Sequence, residues 1–348
     1  SFGRPSSGGS KAAYPCKSYG QGRINPAYFY GVFDPNDMRR DVSITMTGSN
    51  GKGVEKLIPF VPNSKAEGGG LTLNKWDENR QANPWVAAQR KSGINGPYMR
   101  MSEVYLGYAE VCAALGDVVT GKQYLKTVRE RSFPQGLANT DAFIASFGND
   151  LVRAIIEERG FEYAGEGDRR WTLIRSGYLP EDIKRIKDMT KAMMDGLATK
   201  GYYEFENGNI ISAYIWTKLV DAKTIYGHRL TAQCPTDKVN DPVLYPGWRG
   251  QKDNWEEMGL NYGSSTPATN LAIKGLFEIV SEEEAASLES QGYTKVNWGI
   301  DLVDNRDEYD KYLFWDYDYV SAPIYLWPFT PNVMAAGGFT NGYGFKQE

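Results

Sequence analysis

Apolar residues recur at helical spacing between residues 96 and 177, where the chain carries its clearest periodic pattern. The first apolar stripe has the spacing of one helix face and consists of Val104, Tyr108, Val111, Cys112 and Leu115. Pro97 suits the first turn of this helix, and Gly116-Asp117 would end it. A second stripe follows a short turn and consists of Tyr124, Leu125 and Val128. The two helices should pack as an antiparallel hairpin with Cys112 on the buried face, and small residues such as Ala109 should allow a close approach.

Three further helices are indicated by caps and apolar spacing. Asp150 can cap a helix in which Leu151 and Ile155 share a face. Pro180 opens an amphipathic helix that runs to Thr199, and its apolar positions are Ile183, Ile186, Met189, Met193 and Leu197. Its methionines are predicted to fill the core rather than to bind a metal. The last helix is predicted to begin at Thr266-Pro267, with core contacts from Leu271, Leu276 and Ile279.

The segments on either side of the helical stretch are less regular. Residues 42–46 and 54–61 are predicted strands of a hairpin, and residues 71–76 a short extended segment. From 201 to 266 the helical period fades into aromatic residues among Gly, Pro, Asn and Asp, which predicts a long irregular region. We therefore expect a mainly α protein. Residues 1–95 would be loop-rich with short strands, 96–200 a helical scaffold, and 201–348 an irregular, aromatic-rich region with one further helix.

The composition narrows the possible functions. The 348 residues can bury a large core, and a net charge of −4 with a pI near 5.4 argues against a nucleic-acid-binding surface. No apolar run reaches the length of about 18 residues that spans a bilayer. The three cysteines form no disulfide framework, although a bridge between Cys16 and Cys234 is possible. The single histidine, His228, favours a structural or surface role over metal binding or catalysis.

Arginines and glutamates alternate in the third helical segment. Carboxylate and guanidinium groups three or four positions apart can pair along a helix, and the planar fork of arginine suits paired contacts inside a fold. A solvated charged face is the alternative. The predicted interior or interhelical ion pairs involve Arg159, Glu162, Glu166, Arg169 and Arg175, with Arg100 and Glu103 as partners on the hairpin.

Three ordered motifs together resemble one known family. The first is Arg100-Met-Ser-Glu103-Val-Tyr-Leu106, followed by Tyr108-Ala-Glu110 and Gly116-Asp117. The second comprises Glu158-Arg159, Glu162, Glu166-Gly167, Arg169 and Leu173-Ile-Arg175. The third comprises Tyr325-Leu-Trp-Pro328 and Asn341-Gly-Tyr343. In this order and spacing they resemble the SusD/RagB family of nutrient-binding outer-membrane lipoproteins of Bacteroidetes. Gly165 and Thr172 depart from the family pattern, in which an aromatic residue and an aspartate are usual.

The resemblance implies a SusD-like fold of tetratricopeptide-like helical hairpins with long irregular loops and a few short strands. It implies a protein on the extracellular face of the outer membrane, anchored by an N-terminal lipid not present in this chain, with a SusC-like TonB-dependent transporter as partner. Family members are usually longer on the N-terminal side, so this chain would be one SusD-like domain without its N-terminal half. That missing half would be a further partner. Helix faces near residues 96–115 should then expose apolar surface or meet another polypeptide.

The predicted function is the non-enzymatic capture of oligosaccharides or polysaccharides. The alternatives are peptide binding and a glycoside hydrolase, which would need two carboxylates across a cleft, one of them with a raised pKa. The chain has no Gly-x-Ser-x-Gly, His-Glu-x-x-His, Walker or dinucleotide-binding motif, so no catalytic residue is predicted. A pure interaction scaffold would show several clean helical repeats, and only one helix pair is clear. No cofactor is predicted, although calcium is possible at the acidic cluster of Asp301, Asp304, Asp307, Glu308 and Asp310.

Aromatic residues in polar loops are the candidate ligand-binding residues, because sugars present apolar C–H faces that stack on flat rings. The first cluster is Tyr14, Tyr19, Tyr28 and Tyr30, and the second is Trp248, Trp255 and Tyr262. Neither cluster matches a family motif, and local packing is the alternative role for each ring. The first cluster ranks higher because the resemblance places ligand-binding loops ahead of the central helices.

Overall fold

The structure of the chain is a computed structural model that describes residues 22–49, 55–58, 60, 70–73, 75, 96–221, 269–307, 329–338 and 340. Helices dominate these residues, as predicted. They are α1 (Met38–Ser43), α2 (Met101–Ala114), α3 (Val118–Glu130), α4 (Thr140–Ala145), α5 (Leu151–Glu162), α6 (Asp168–Ser176), α7 (Leu179–Lys200), α8 (Glu282–Ser290), α9 (Gly299–Asp304) and α10 (Pro331–Gly337). A π-helical turn, Tyr28–Val32, precedes α1. Among the helices described, none combines the length and the apolar composition that crossing a membrane requires.

The strands are short and pair antiparallel in four small sheets within the described residues. They are β1 (Arg23–Ile24), β2 (Ile44–Thr45), β3 (Thr47–Ser49), β4 (Glu55–Leu57), β5 (Leu71–Leu73), β6 (Tyr202–Glu204), β7 (Ile210–Ser212), β8 (Tyr214–Asp221), β9 (Thr269–Lys274) and β10 (Thr294–Asn297). One three-stranded sheet has the order β1-β5-β2, and the other has the order β10-β8-β9. The remaining pairs, β3–β4 and β6–β7, are two-stranded.

Helices α2 and α3 form the predicted antiparallel hairpin. Asp117 caps α3, since its side chain accepts a hydrogen bond from the backbone N–H of Thr120. The two helices approach closely at Gly121, where an added Cβ would lie 3.0 Å from the carbonyl oxygen of Ala109. Ala109 is fully buried, and Leu125 and Val128 of the second stripe pack beside it. Of the small residues expected at this contact, Ala109 and Ala113 lie there, whereas Gly107 does not, since nothing lies within 4 Å of a Cβ added to it.

The buried face of α2 differs from the predicted one. Val104, Tyr108, Val111 and Leu115 are at least half exposed, and Cys112 alone of that stripe is buried. The buried positions are Ser102, Leu106, Ala109 and Cys112. Both α3 and α5 pack against α2, so the buried face is the one that meets both neighbours at close range. The apolar stripe lies beside that face, and its spacing alone did not reveal the rotation of the helix.

Helix α5 lies at the centre of the helical part. Its first turn is capped as predicted, because the Asp150 carboxylate accepts from the backbone N–H of Arg153 at 3.0 Å. Every residue of α5 except Val152 is buried, including its glutamates and arginines. Helices α2, α3, α4 and α6 all pack against it. The alternating charges of this segment are therefore inside the protein rather than on a solvated face.

A second core lies between α7, the π-helical turn and the sheets. Pro180 stands in the first turn of α7 as predicted, and Met193 and Met194 are completely buried. Trp298, the largest fully buried side chain, contacts Phe60 with the ring centroids 4.1 Å apart. The methionines on α7 thus serve as core residues, which agrees with the sequence interpretation.

Two predictions after residue 201 are corrected by the structure. Residues 269–274 form a strand, β9, where a helix was predicted, because Leu271 and Ile273 alternate towards the core and pair with β8. Leu276 is buried as expected, but Ile279 is half exposed. The first part of the region predicted to be irregular consists of β6, β7 and β8. The acidic stretch after Ser281 caps α8 through a reciprocal capping box between Ser281 and Glu284.

A strand pair is present near the start, but its first strand is not the predicted one, because β2, within residues 42–46, pairs with β5, and β3, which follows it, pairs with β4. Residues up to Ser43 are helical, so the first strand begins at Ile44 and a second one, β3, follows it. β3 pairs with β4 in the register Thr47 to Leu57. The extended segment at Leu71–Leu73 is the central strand of the β1-β5-β2 sheet.

Candidate functional site

Tyr14, Tyr19, Trp248, Trp255 and Tyr262 lie outside the described residues, as do Cys16, Cys234, His228, Glu308 and Asp310. Only Tyr28 and Tyr30 of the first cluster are described. Both belong to a helical turn rather than to the loop that the sequence predicted.

Tyr30 and Tyr28 are packing residues in this structure. Tyr30 is completely buried, stacks on Phe205 with an interplanar angle of 7°, and accepts a hydrogen bond from the indole N–H of Trp298 at 2.8 Å. The hydroxyl of Tyr28 donates to the carbonyl oxygen of Gly160 at 2.9 Å. Burial raises the pKa of both hydroxyls. No face of Tyr30 is open to a ligand, which corrects its assignment to a ligand-binding loop.

One cluster of ion pairs surrounds the last turn of α5. Glu158 accepts from Arg39 at 2.6 Å and from Arg129 at 3.0 Å. Glu162 accepts from Arg100 at 2.6 Å, from Arg39 at 3.3 Å, and from Arg131. Glu166, just after α5, pairs with Lys75 and at 2.9 Å with Arg100. These contacts join α1, α3 and the segment before α2 to the central helix.

A second cluster of ion pairs lies on the other side of α5, against α6 and α7. Glu157 pairs with Arg169 and Arg185, each at 2.8 Å. Asp182 pairs with the same two arginines, at 2.9 and 2.7 Å. The charged positions predicted on α6 thus meet carboxylates of α5 and α7.

The remaining charged positions of the motif lie between α6 and α2. Arg159 pairs with Asp168, and its guanidinium lies 3.6 Å from Glu103. Arg175 pairs with Glu110 at the surface. Of the two partners predicted on the hairpin, Arg100 has the closer contacts and Glu103 the longer one.

Arginine neighbours keep Glu157 and Glu162, one glutamate in each cluster, ionised. Burial alone would raise the pKa of Glu157, but Arg169 and Arg185 outweigh it and lower the pKa to about 2. Burial likewise acts against the ionised form of Glu162, and Arg39, Arg131 and Arg100 still hold its pKa at about 2. Burial lowers the pKa of Lys75 despite its contact with Glu166. Carboxylates with lowered pKa values are poor proton donors near neutral pH, so Glu157 and Glu162 are suited to structure rather than to acid catalysis.

The described residues contain no group of three metal-ligating side chains. Asp301 and Asp304 of the predicted acidic cluster lie on α9, and burial, with a smaller contribution from Asp304, raises the pKa of Asp301. Glu308 and Asp310 fall outside the described part of the chain, so the calcium prediction remains untested.

The outer surface of the β10-β8-β9 sheet carries an aromatic and basic patch that the sequence interpretation missed. The register pairs Ile215 with Val296 and Thr217 with Ile273. Ile215 and Ile273 belong to the core, and Val296 packs against it. Because side chains alternate along a strand, the intervening residues of β8 face outward. We call this surface the β8 outer face, and it consists of Tyr214, Trp216, Lys218, Lys274, Tyr293 and Lys295.

The β8 outer face places ammonium groups beside aromatic rings. The Lys295 ammonium lies 4.2 Å from the ring centroid of Tyr214 and 5.8 Å from that of Trp216. The Lys218 ammonium lies 5.8 Å from the ring of Tyr293 and donates to the carbonyl oxygen of Gln291 at 2.7 Å. Tyr214 is 36% exposed, whereas Trp216 is 7% exposed and its indole N–H has no partner among the described residues.

The alternation of residues 214–219 was the signal that could have revealed this face. Tyr, Trp and Lys alternate there with Ile, Thr and Leu, which is the period of a half-buried strand. The surrounding Gly, Pro and Asn residues led us to predict an irregular region instead. The partners Lys274 and Lys295 come from strands far along the chain, so no local pattern pointed to them.

The α2–α3 hairpin exposes a broad apolar surface. Its most exposed members are Tyr98, Met99, Met101, Leu115 and Val119, each more than 60% exposed. This surface continues along the predicted stripe through Val104, Tyr108 and Val111. Exposed apolar surface near residues 96–115 was one of the two outcomes expected from the sequence, and large patches of this kind mark interaction surfaces in soluble proteins.

Comparisons with known proteins give a consistent assignment. The model of the SusD family matches residues 7–329 of the chain. A relative named SusD-like protein P25, from Formosa agariphila, is 28% identical over 160 residues. That match covers 46% of this chain and 26% of the relative, so it spans about a quarter of the relative's length. No solved structure matches the chain.

Proposed function

Because this chain belongs to the SusD family, we propose that it captures glycans at the bacterial cell surface and passes them to a SusC-like TonB-dependent transporter. Family membership supports a general role in glycan binding and nutrient uptake. Delivery to the transporter, a position on the outer membrane held by a lipid anchor, and release of an unaltered ligand are parts of the proposal. The ligand is an oligosaccharide or a polysaccharide.

The β8 outer face is the observation that carries glycan binding for this chain. A sugar ring has apolar C–H groups on its faces and hydroxyl groups around its rim. Tyr214 and Tyr293 supply aromatic rings at least partly open to solvent, and the lysines beside them supply hydrogen-bond donors. This combination suits a saccharide that lies along the sheet.

The buried acids support binding rather than hydrolysis. A glycosidase needs one carboxyl group with a raised pKa as its acid and a second one across a cleft. Glu157, Glu158 and Glu162 instead have arginine partners in the interior. With pKa values of about 2, Glu157 and Glu162 are unsuited to the acid role.

Glycan binding is tested by isothermal titration calorimetry with a panel of soluble polysaccharides and, separately, a peptide pool. The variant Tyr214→Ala/Tyr293→Ala should weaken glycan binding about tenfold, since a stacked aromatic ring contributes about 0.5–1.5 kcal/mol. Tyr98→Ala removes a fully exposed ring from the apolar surface of the α2–α3 hairpin and should leave glycan binding unchanged. Reducing-end assays should show no hydrolysis of the bound glycan.

Two outcomes would overturn the proposed function, and a third would overturn its assignment to the β8 outer face. Binding of peptides without any glycan would favour the peptide-binding alternative. Release of new reducing ends would show an enzyme. Equal loss of affinity in the Tyr214→Ala/Tyr293→Ala and Tyr98→Ala variants would remove the β8 outer face as the binding site.

A further inference from the structure

The β8 outer face is basic although the chain as a whole is acidic. Three lysines occupy it, on a protein with a net charge of −4. None of the three ammonium groups forms an ion pair with a carboxylate within the described part of the chain. In the interior, by contrast, carboxylates such as Glu158 and Glu162 are each surrounded by arginines. This face therefore brings together three lysines that form no ion pair with a carboxylate among the described residues.

The strand register fixes how the lysines are arranged. Trp216 is directly opposite Lys295 on β10 and Lys274 on β9. Adjacent strands are about 4.8 Å apart, so these two lysines start about 10 Å from each other with Trp216 between them. Lys218 is two positions further along β8, about 7 Å from Trp216. The strand register thus places three lysines around Trp216 on one side of the sheet.

The contacts keep this charge beside the rings. Lys295 is exposed, and its ammonium lies against the ring of Tyr214. Lys218 uses one of its N–H groups on the carbonyl of Gln291, which leaves donors free for a ligand. A neutral sugar needs hydrogen-bond partners but no unpaired cations. Carboxylate and sulfate groups on a sugar ring would pair with these lysines while the ring itself contacts the aromatic residues.

We infer that the β8 outer face selects acidic saccharides, with ring carboxylate or sulfate groups bound by Lys218, Lys274 and Lys295. This inference rests on the proposed glycan-binding function and specifies the ligand's charge. The shared chemistry is an anionic group on a pyranose ring, which uronic acids and sulfated sugars both supply. Because the lysines are at or near the surface, the attraction is weakened by added salt.

The experiment compares polygalacturonate as the carboxylate probe, chondroitin sulfate as a probe with sulfate groups, and dextran as the neutral probe. The test variant is Lys218→Gln/Lys274→Gln/Lys295→Gln. The matched control is Lys126→Gln/Lys191→Gln/Lys200→Gln, which removes three exposed lysines of α3 and α7 and has the same net charge. Affinity is measured by calorimetry at low and at raised salt, and circular dichroism checks that both variants fold.

The wild-type protein should bind at least one of the two anionic probes, and the test variant should bind it about tenfold or more weakly at low salt. The control variant should bind like the wild type. Raised salt should weaken binding to the wild type more than to the test variant. Because chondroitin sulfate also carries ring carboxylates, weaker binding of both probes would assign the face to carboxylates, and weaker binding of chondroitin sulfate alone would assign it to sulfates.

The remaining outcomes separate this inference from the proposed function. Dextran binding that equals anionic binding, with no effect of the test variant, would overturn the inference and leave glycan capture intact. Failure to bind any polysaccharide would overturn both. Equal losses in the test and control variants, or equally tight binding of single-stranded oligothymidine, would show a non-specific attraction for polyanions and also overturn the inference.

Discussion

The guanidinium of Arg129 and the carboxylate of Glu158 form an ion pair in the protein interior. The nitrogen and oxygen atoms are 3.0 Å apart, and the two side chains are 3% and 0% exposed. Arg129 also donates to the carbonyl oxygen of Ala138, and its guanidinium lies 3.8 Å from the ring centroid of Phe143. The second oxygen of Glu158 accepts from Arg39. The pair therefore joins α3 to α5 with its charges satisfied inside the fold.

Replacing Arg129 with Met should lower the free energy of unfolding by about 3–5 kcal/mol, because Glu158 stays buried with one partner fewer. Urea unfolding followed by circular dichroism measures the change. Lys184→Met is the matched control, since Lys184 pairs with Asp188 on the surface of α7, and its loss should cost about 0–1 kcal/mol. Similar values for the two variants would contradict the interior role of the Arg129–Glu158 pair.

Stability should fall in acid over a defined pH range. The folded pKa values of Glu157 and Glu162 are about 2, lowered from 4.5. As the pH falls below about 4.5 the unfolded chain binds protons first, so the stabilisation present above that pH is lost progressively towards pH 2. Thermal unfolding between about pH 6 and pH 2 measures this loss.

The control for the pH prediction compares two single variants. Glu162→Gln should be less stable than the wild type near neutral pH and should lose less stability in acid, because one of the titrating groups is gone. Glu283→Gln alters an exposed side chain of α8 and should keep the wild-type pH dependence. Identical acid profiles for all three proteins would show that Glu162 is not coupled to folding.

Replacing either of two glycines of the α2–α3 hairpin with alanine should change the stability of the protein, in opposite directions. At Gly121 a Cβ would lie 3.0 Å from the carbonyl oxygen of Ala109 and 3.2 Å from Leu151, so Gly121→Ala should cost about 1–3 kcal/mol. At Gly107 nothing lies within 4 Å of the added atom, and Gly107→Ala should stabilise by about 0.5–1 kcal/mol. Thermal unfolding of both variants measures these changes in stability. A stabilised Gly121→Ala variant would show that the two helices are not in close contact at residue 121.

Tyr30→Phe should separate packing from ligand binding. The variant leaves the buried indole N–H of Trp298 without its acceptor, which should destabilise the protein by about 1–3 kcal/mol. Glycan affinity, measured by calorimetry below the unfolding temperature, should stay unchanged, because the ring is inside the core. Tyr214→Phe is the comparison, since its hydroxyl lies on the β8 outer face and its loss should not alter stability. A loss of glycan affinity in Tyr30→Phe at unchanged stability would restore Tyr30 to the ligand site.

The features predicted correctly from sequence depend on residues close together in the chain. The Asp150 cap, the first-turn Pro180 and the α2–α3 hairpin arise from contacts within a few positions, where residue type and spacing act directly. The alternation of arginine and glutamate around α5 also indicated ion pairs. Their partners, such as Arg39 and Arg129, come from other helices and were not predicted.

Contacts between distant segments of the chain determined the features that the sequence did not predict. Periodicity marked an apolar stripe on α2, but the close approach of Gly121 to Ala109 and the packing against α5 determined which face was buried. Tyr30 was assigned to a ligand-binding loop from the sequence, yet Trp298 and Phe205 enclose it. Trp216 lies between Lys274 and Lys295 only because β9 and β10 pair on either side of β8. Local sequence patterns specify helices, caps and the alternation of strands. Strand register and helix packing determine which side chains share a surface, and both depend on residues far apart in the sequence.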